Sequence, residues 1–342
     1  MKYYLNTLFL TGAIVLLSAT VSGASSADEE IRVFSVQIEN DFFGGGTDRH
    51  FTHGTRLIYL TKPKPWITKA VGWVPWFELE REGVLKDSHE SLQARASLSV
   101  GQNIYTPEDI SDPDLIINDR PYAGWLYFGF GLVANQGSSR YDKVELAVGV
   151  VGPLSFAEEI HERWHSAFGL QNPEGWDHQL ENELGVTLFY EQARRFGRNN
   201  LPYNLQFDLI PHFGGSVGNV FTYFSTGFTA RLGSDLKSDF GPPRVRPSLP
   251  GGGYLRSEKG RNWYLFAGLD GRVVLRNIFL DGNTFSGSHS VKKKRCVGDM
   301  QVGLTIQFNR FHVTYTQIFS SIEYVRQENT DSFGSLMISH HF

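Results

Sequence analysis

His161 and His165 stand four residues apart with a carboxylate between them, in Ile160-His161-Glu162-Arg163-Trp164-His165. This is H-E-x-x-H, the pattern in which two histidines on one helix face bind zinc and the glutamate acts as general base. The chain has 11 histidines, so the string alone is only moderately specific. Charged Arg163 and bulky Trp164 fill its middle, and no third ligand follows in a recognisable pattern. A surface helix carrying solvated histidines is the plain alternative.

Three further groups can do chemistry. Asn40-Asp41 opens a Gly-rich stretch with Asp48, Arg49 and His50 nearby. A carboxylate, an amide and loop carbonyls are hard oxygen donors that suit calcium, although Asn, Asp and Gly are also ordinary turn residues. Arg120, in Asn118-Asp119-Arg120-Pro121-Tyr122, can grip a phosphate bidentately or pair with a carboxylate of the fold. Lys292-Lys293-Lys294-Arg295 is either a solvated loop or an attractor of anionic head groups.

Elements must position these groups, and the chain supplies strands. It has 342 residues, with 36 Gly, 26 Phe and 14 Tyr, 20% charged residues and a net charge of -4. Such a balance argues against a nucleic-acid partner. Lys2, the apolar Leu5–Leu17 and the small residues Ser22-Gly23-Ala24 read as an export signal cut after Ala24 or Ala27, leaving 28–342 as the mature domain. That apolar core is shorter than the ~20 residues of a membrane-spanning helix, and no later run is long enough. Cys296 is the only cysteine, so no intramolecular disulfide forms.

From Arg32 onward the pattern alternates as strands do. Phe34, Val36 and Ile38 share one face, and Ala94, Ala96, Leu98 and Val100 another. About twelve such segments follow, ending on Asp331–Phe342 with an aromatic last residue. One apolar and one small or polar face per strand is what a lipid-facing wall around a wet interior requires. Edges left open in lipid are untenable, so the strands are expected to close into an antiparallel transmembrane β-barrel, with a soluble β-sandwich as the alternative. Strand parity then puts the loops 40–50, 105–122 and 152–182 on one rim, the outer one. The last of these carries the helix expected over Ser155–Gly169, after the fifth strand. Thr61–Leu92, with Trp66, Trp73 and Trp76, suits an interfacial segment, and Ser234–Arg261 could fold into the lumen as a plug.

The order of these motifs resembles the outer-membrane lipid A 3'-O-deacylases. The likeness runs through Glu39-Asn40-Asp41, Phe51-Thr52-His53-Gly54, Asn103-Ile104-Tyr105, Asp119-Arg120, Val151-Gly152-Pro153, Trp164–Gly169, Trp176 and Gln179–Asn182 to Phe342. The resemblance implies a twelve-stranded barrel with its site between the wall and a short helix. It implies calcium-dependent removal of the 3'-linked acyloxyacyl group from lipid A, the lipopolysaccharide anchor. Carried over, the catalytic histidine falls on His165, the Asn-Asp pair on Asn40 and Asp41, with Asp41 toward the metal, and the strand-two hydroxyl on Thr52. Arg120 is the expected substrate contact, and the protein is expected to be a monomer. Three departures stand out: the family glutamate six residues beyond the histidine is Gln171, with Glu174 as substitute; the lysine after strand three has no counterpart in Thr106–Ile117; and Thr61–Leu92 is longer. A non-catalytic channel or adhesin, and a zinc peptidase using His161, Glu162 and His165, remain the alternatives.

Overall fold

The computed structural model describes residues 32–41, 50–71, 92–234, 236, 239–241 and 261–342. The export signal of residues 1–24, the Gly-rich stretch 42–49, and Trp73 and Trp76 lie outside these. The strands are β1 (Val33–Asn40), β2 (His50–Leu60), β3 (Leu92–Thr106), β4 (Ala123–Gln136), β5 (Arg140–Val151), β6 (Glu183–Arg194), β7 (Phe196–Leu201), β8 (Leu205–Gly218), β9 (Phe221–Gly233), β10 (Arg261–Asn277), β11 (Cys296–Phe308), β12 (Phe311–Ser320) and β13 (Asp331–His341). Helices α1 (Pro65–Val71), α2 (Ala157–Phe168) and α3 (Ile278–Asp281) lie between them.

Every neighbouring pair is antiparallel, and β1 pairs with β13 from Val33↔His341 to Asn40↔Gly334. The ring closes where β6 meets β8. β7 runs on from β6 past Arg195 along the same neighbour, β8. The thirteen strands therefore make a closed barrel of twelve staves, as the alternation predicts. No helix among the described residues is long and apolar enough to cross a membrane.

The pleat sorts side chains as lipid demands. On β3 and β4, Leu98, Val100, Phe128 and Phe130 are exposed on the outer face, while Ser97, Ser99 and Tyr127 are buried inside. Polar pairs fill the lumen: Arg56 and Lys143 hold Glu145 at 2.5 and 2.9 Å, and Arg231 holds Asp208 at 2.5 Å. Near the outer mouth, Phe279 of α3 stacks on Tyr105 at 4.0 Å. At the inner end, Asp239 meets Arg231 and Tyr264, and Phe240 lies on Tyr141, so the described part of the Ser234–Arg261 connection enters the lumen. On the outer face, α1 seats Ile67 and Val71 against Ala94 and Ala134 and leaves Trp66 exposed, as expected of an interfacial segment.

Candidate active site

α2 is built on a narrow buried stripe, Ala157, His161 and His165, four residues apart. Glu158 and Glu159 occupy its first turn, where the helix dipole favours negative charge. Burial, with Glu162 nearby, holds the Glu158 carboxyl above its ordinary range. Gly169 ends the helix at φ 68°, the left-handed geometry that glycine takes without strain. In that turn the Leu170 N–H donates to the His165 carbonyl at 2.9 Å.

The stripe lies against the outside of the wall. Leu98, Val100, Gln102, Ile104 and Thr106 share the outward face of β3. The first two are exposed and the last three are buried. Gln102 donates to the Ser155 carbonyl at 2.6 Å, and Ile104 packs with Tyr122, Ala157 and Trp176. The approach is close because Gly124 has no side chain: a Cβ there would lie 2.0 Å from Ser155 Oγ and 2.2 Å from Ala157 Cβ.

Between α2 and the wall is a solvent-open cleft lined by Asn40, Asp41, Thr52, His53, His161 and His165 with apolar Ile104, Ile160, Trp164 and Leu170. A β-bulge shapes its floor. Phe51 pairs with Tyr105 and His53 with Ile104, so Thr52 is the extra residue. Its carbonyl accepts from Asn40 Nδ2 at 3.0 Å, and its hydroxyl lies 2.7 Å from that of Thr106. Asn40 Nδ2 is also 3.5 Å from His53 Nδ1, while His53 Nε2 lies 2.7 Å from Thr55 Oγ1.

His165 Nδ1 is hydrogen-bonded to the backbone carbonyl of Gln171. A carbonyl only accepts, so Nδ1 carries the proton and Nε2 is left as the basic nitrogen. The His161 ring stands edge-on to that of His165, with centroids 4.4 Å apart. Trp164 closes the other side, 5.4 Å from His53 and 4.7 Å from Phe168.

Asn40, Asp41, Thr52 and His165 thus share one cleft. Glu162, Gln171 and Glu174 are exposed and do not line it. Arg120 is elsewhere: it is buried inside the barrel, with Nη2 2.5 Å from Glu323 Oε2 and the guanidinium 5.5 Å from the Tyr324 ring. His53, Trp164 and the Gln171 carbonyl are the parts that motif reasoning missed. The signal for His53 was its place directly across from Asn40. A Gly-x-Ser-x-Gly string, Gly214–Gly218, lies within β8 rather than at a strand-to-helix turn, and Ser216 is no nucleophile elbow.

The donor set fits calcium better than zinc. Asp41 is buried at the cleft and neighbours the Asn40 amide, both hard oxygen donors. Among the described residues, no three His, Cys, Asp or Glu side chains are grouped to hold a metal ion. Among those residues a tetrahedral zinc site of side chains alone has no third ligand, whereas calcium also accepts carbonyl and water oxygens.

Closed staves with an apolar outer face define an outer-membrane barrel, and the cleft under α2 lies on the outer side of its wall. The family profile described as "Outer membrane protein LpxR" matches residues 8–342, and the chain belongs to that family. LpxR from Salmonella typhimurium is similar in structure, with a TM-score of 0.73 and 20% identity over 91% of this chain and 100% of that one. The β domain of the Bordetella autotransporter BrkA (TM-score 0.41, 9% identity, 91% and 98% covered) and the translocator domain of NalP from Neisseria meningitidis (0.39, 10%, 99% and 96%) match with lower scores. No curated protein sequence matches the chain.

Proposed function

We propose that the protein is a lipid A deacylase of the outer membrane that hydrolyses the 3'-linked acyloxyacyl ester, with His165 as general base and calcium held near Asp41. The observation that carries this is the side of the wall on which the cleft opens. His165, Asn40, Asp41 and Thr52 gather outside the barrel, so a lipid of the outer leaflet can reach them without leaving the membrane. The polar groups face the scissile ester, while Ile104, Ile160, Trp164 and Leu170 supply an apolar surface for its chains.

The Gln171 carbonyl fixes the His165 tautomer, so Nε2 takes a proton from water as the water oxygen attacks the ester carbonyl. The same imidazolium returns the proton to the sugar oxygen as the acyl chain leaves as a carboxylic acid. Asn40 and Thr52 tie the end of β1 to the bulge of β2, which holds the floor at a set distance from α2. Asp41 and Asn40 would hold calcium with water oxygens completing its shell, and when bound it would polarise the carbonyl and stabilise the oxyanion. The zinc reading is weakened by Glu162, which points out of the cleft, and the channel reading by the ion pairs that fill the lumen.

Purified protein in mixed micelles with lipopolysaccharide should release the acyloxyacyl fatty acid with calcium present and stop when a calcium-selective chelator is added. Activity that persists in chelator and disappears only with a zinc-selective one would overturn the assignment.

A further inference from the structure

The loops after β10 and β12 meet on the outer rim, on a different arc from the cleft. Lys293 and Tyr324 form an antiparallel bridge there. The Lys294 N–H donates to the Glu323 carbonyl at 2.7 Å and the Val325 N–H to the Lys292 carbonyl at 2.9 Å. Tyr324, buried behind them, is hydrogen-bonded to Asp119 and lies 2.8 Å from His50 Nε2. The two loops are thereby pinned as a short two-stranded ledge.

Its charge is lopsided. Two carboxylates beside the ledge are committed, Asp281 to Lys293 at 2.6 Å and Glu323 to Arg120 at 2.5 Å. Lys292, Lys294, Arg295 and Arg326 form no ion pair with any described residue. Lys292, Arg295 and Arg326 are exposed and Lys294 is half-buried, against two exposed carboxylates, Glu328 and Glu108, which accepts from Asn329 Nδ2 at 3.5 Å. Cations concentrated on fixed backbone repel one another unless an anion lies among them. A pinned ledge also spares a ligand the entropy of ordering the loop.

We propose that this ledge binds the phosphate groups of a phosphorylated glycolipid of the outer leaflet, a lipopolysaccharide molecule other than the one in the cleft. Phosphates are the dense anions at that height, and lysine and arginine beside an anionic leaflet gain roughly five-fold in affinity each at low salt. The inference rests on the outer-membrane placement and not on the deacylase reading, so either can fail alone.

The test is binding of lipopolysaccharide to the full-length protein in detergent, counted by native mass spectrometry, with phosphorylated and chemically dephosphorylated lipopolysaccharide as probes. The K292Q/K294Q/R295Q/R326Q variant should bind the phosphorylated form at least ~10-fold more weakly. The wild type should prefer the phosphorylated over the dephosphorylated form by a similar factor and lose that preference at high salt. Deacylation at saturating substrate should be unchanged. Should the variant not insert, Lys292→Gln and Arg326→Gln singly should each weaken binding by a few-fold. Equal binding of the two lipid forms, or equal binding by variant and wild type, overturns the proposal. A rise in the KM for deacylation would place the ledge in substrate recognition and overturn the separate site.

Discussion

Gly169→Ala isolates the turn that orients His165. An added Cβ would meet nothing within 4 Å, so steric clash contributes nothing. What remains is φ 68°, which costs an L-residue about 1–2 kcal/mol. The barrel, whose strands lie elsewhere, should not register that cost. α2 can escape it by unwinding its last turn, which separates the Gln171 carbonyl from His165 Nδ1. A bias of 1–2 kcal/mol toward the unwound form lowers the competent fraction by at most ~5- to 30-fold. Turnover of lipopolysaccharide in micelles should therefore fall by up to that factor, with KM nearly unchanged and thermal unfolding of the barrel unmoved. Gly169→Asn, which tolerates the left-handed region, should keep most of the activity. Full activity in the alanine variant would show that the turn does not position His165. Equal loss in both would show that something other than φ is at stake.

Three more predictions concern separate parts of the cleft and rim. Gly124→Val should force Ser155 and Ala157 off the wall and abolish turnover in an inserted barrel, which heat-modifiable mobility on gels will show; retained activity would mean that α2 need not touch β4. Trp164→Ala should open the side of the cleft toward His53 and broaden the accepted acyl-chain length, read by competition between lipid A species; an unchanged profile would remove Trp164 from substrate selection. Arg120→Gln strips a buried partner from Glu323 and should lower barrel stability by about 3–5 kcal/mol, measured by unfolding in urea; a selective rise in KM with stability intact would instead make Arg120 a substrate contact.

The wall was legible because alternation reports lipid-facing and lumen-facing sides directly, and parity then placed Asn40 and His165 on one rim. Other parts were hidden for physical reasons. Strict alternation puts Thr52 and His53 on opposite faces, yet the bulge brings both to the cleft, and one extra residue in a ladder leaves no local mark. The group that orients His165 is a backbone carbonyl, so the identity of residue 171 is silent about it. The break at Arg195 was missed because β7 continues the line of β6 with no turn between them. Arg120 finds Glu323 from 203 residues away, beyond any spacing rule.

The central claim is tested most directly by mass spectrometry of lipid A from an outer membrane that lacks such an enzyme and expresses either the wild type or His165→Ala. The wild type should convert lipid A to a species lighter by the 3'-linked acyloxyacyl group, and His165→Ala, inserted to the same level, should slow that conversion by roughly 10²–10⁴-fold. Unchanged lipid A with the wild type, or undiminished conversion with His165→Ala, would contradict it.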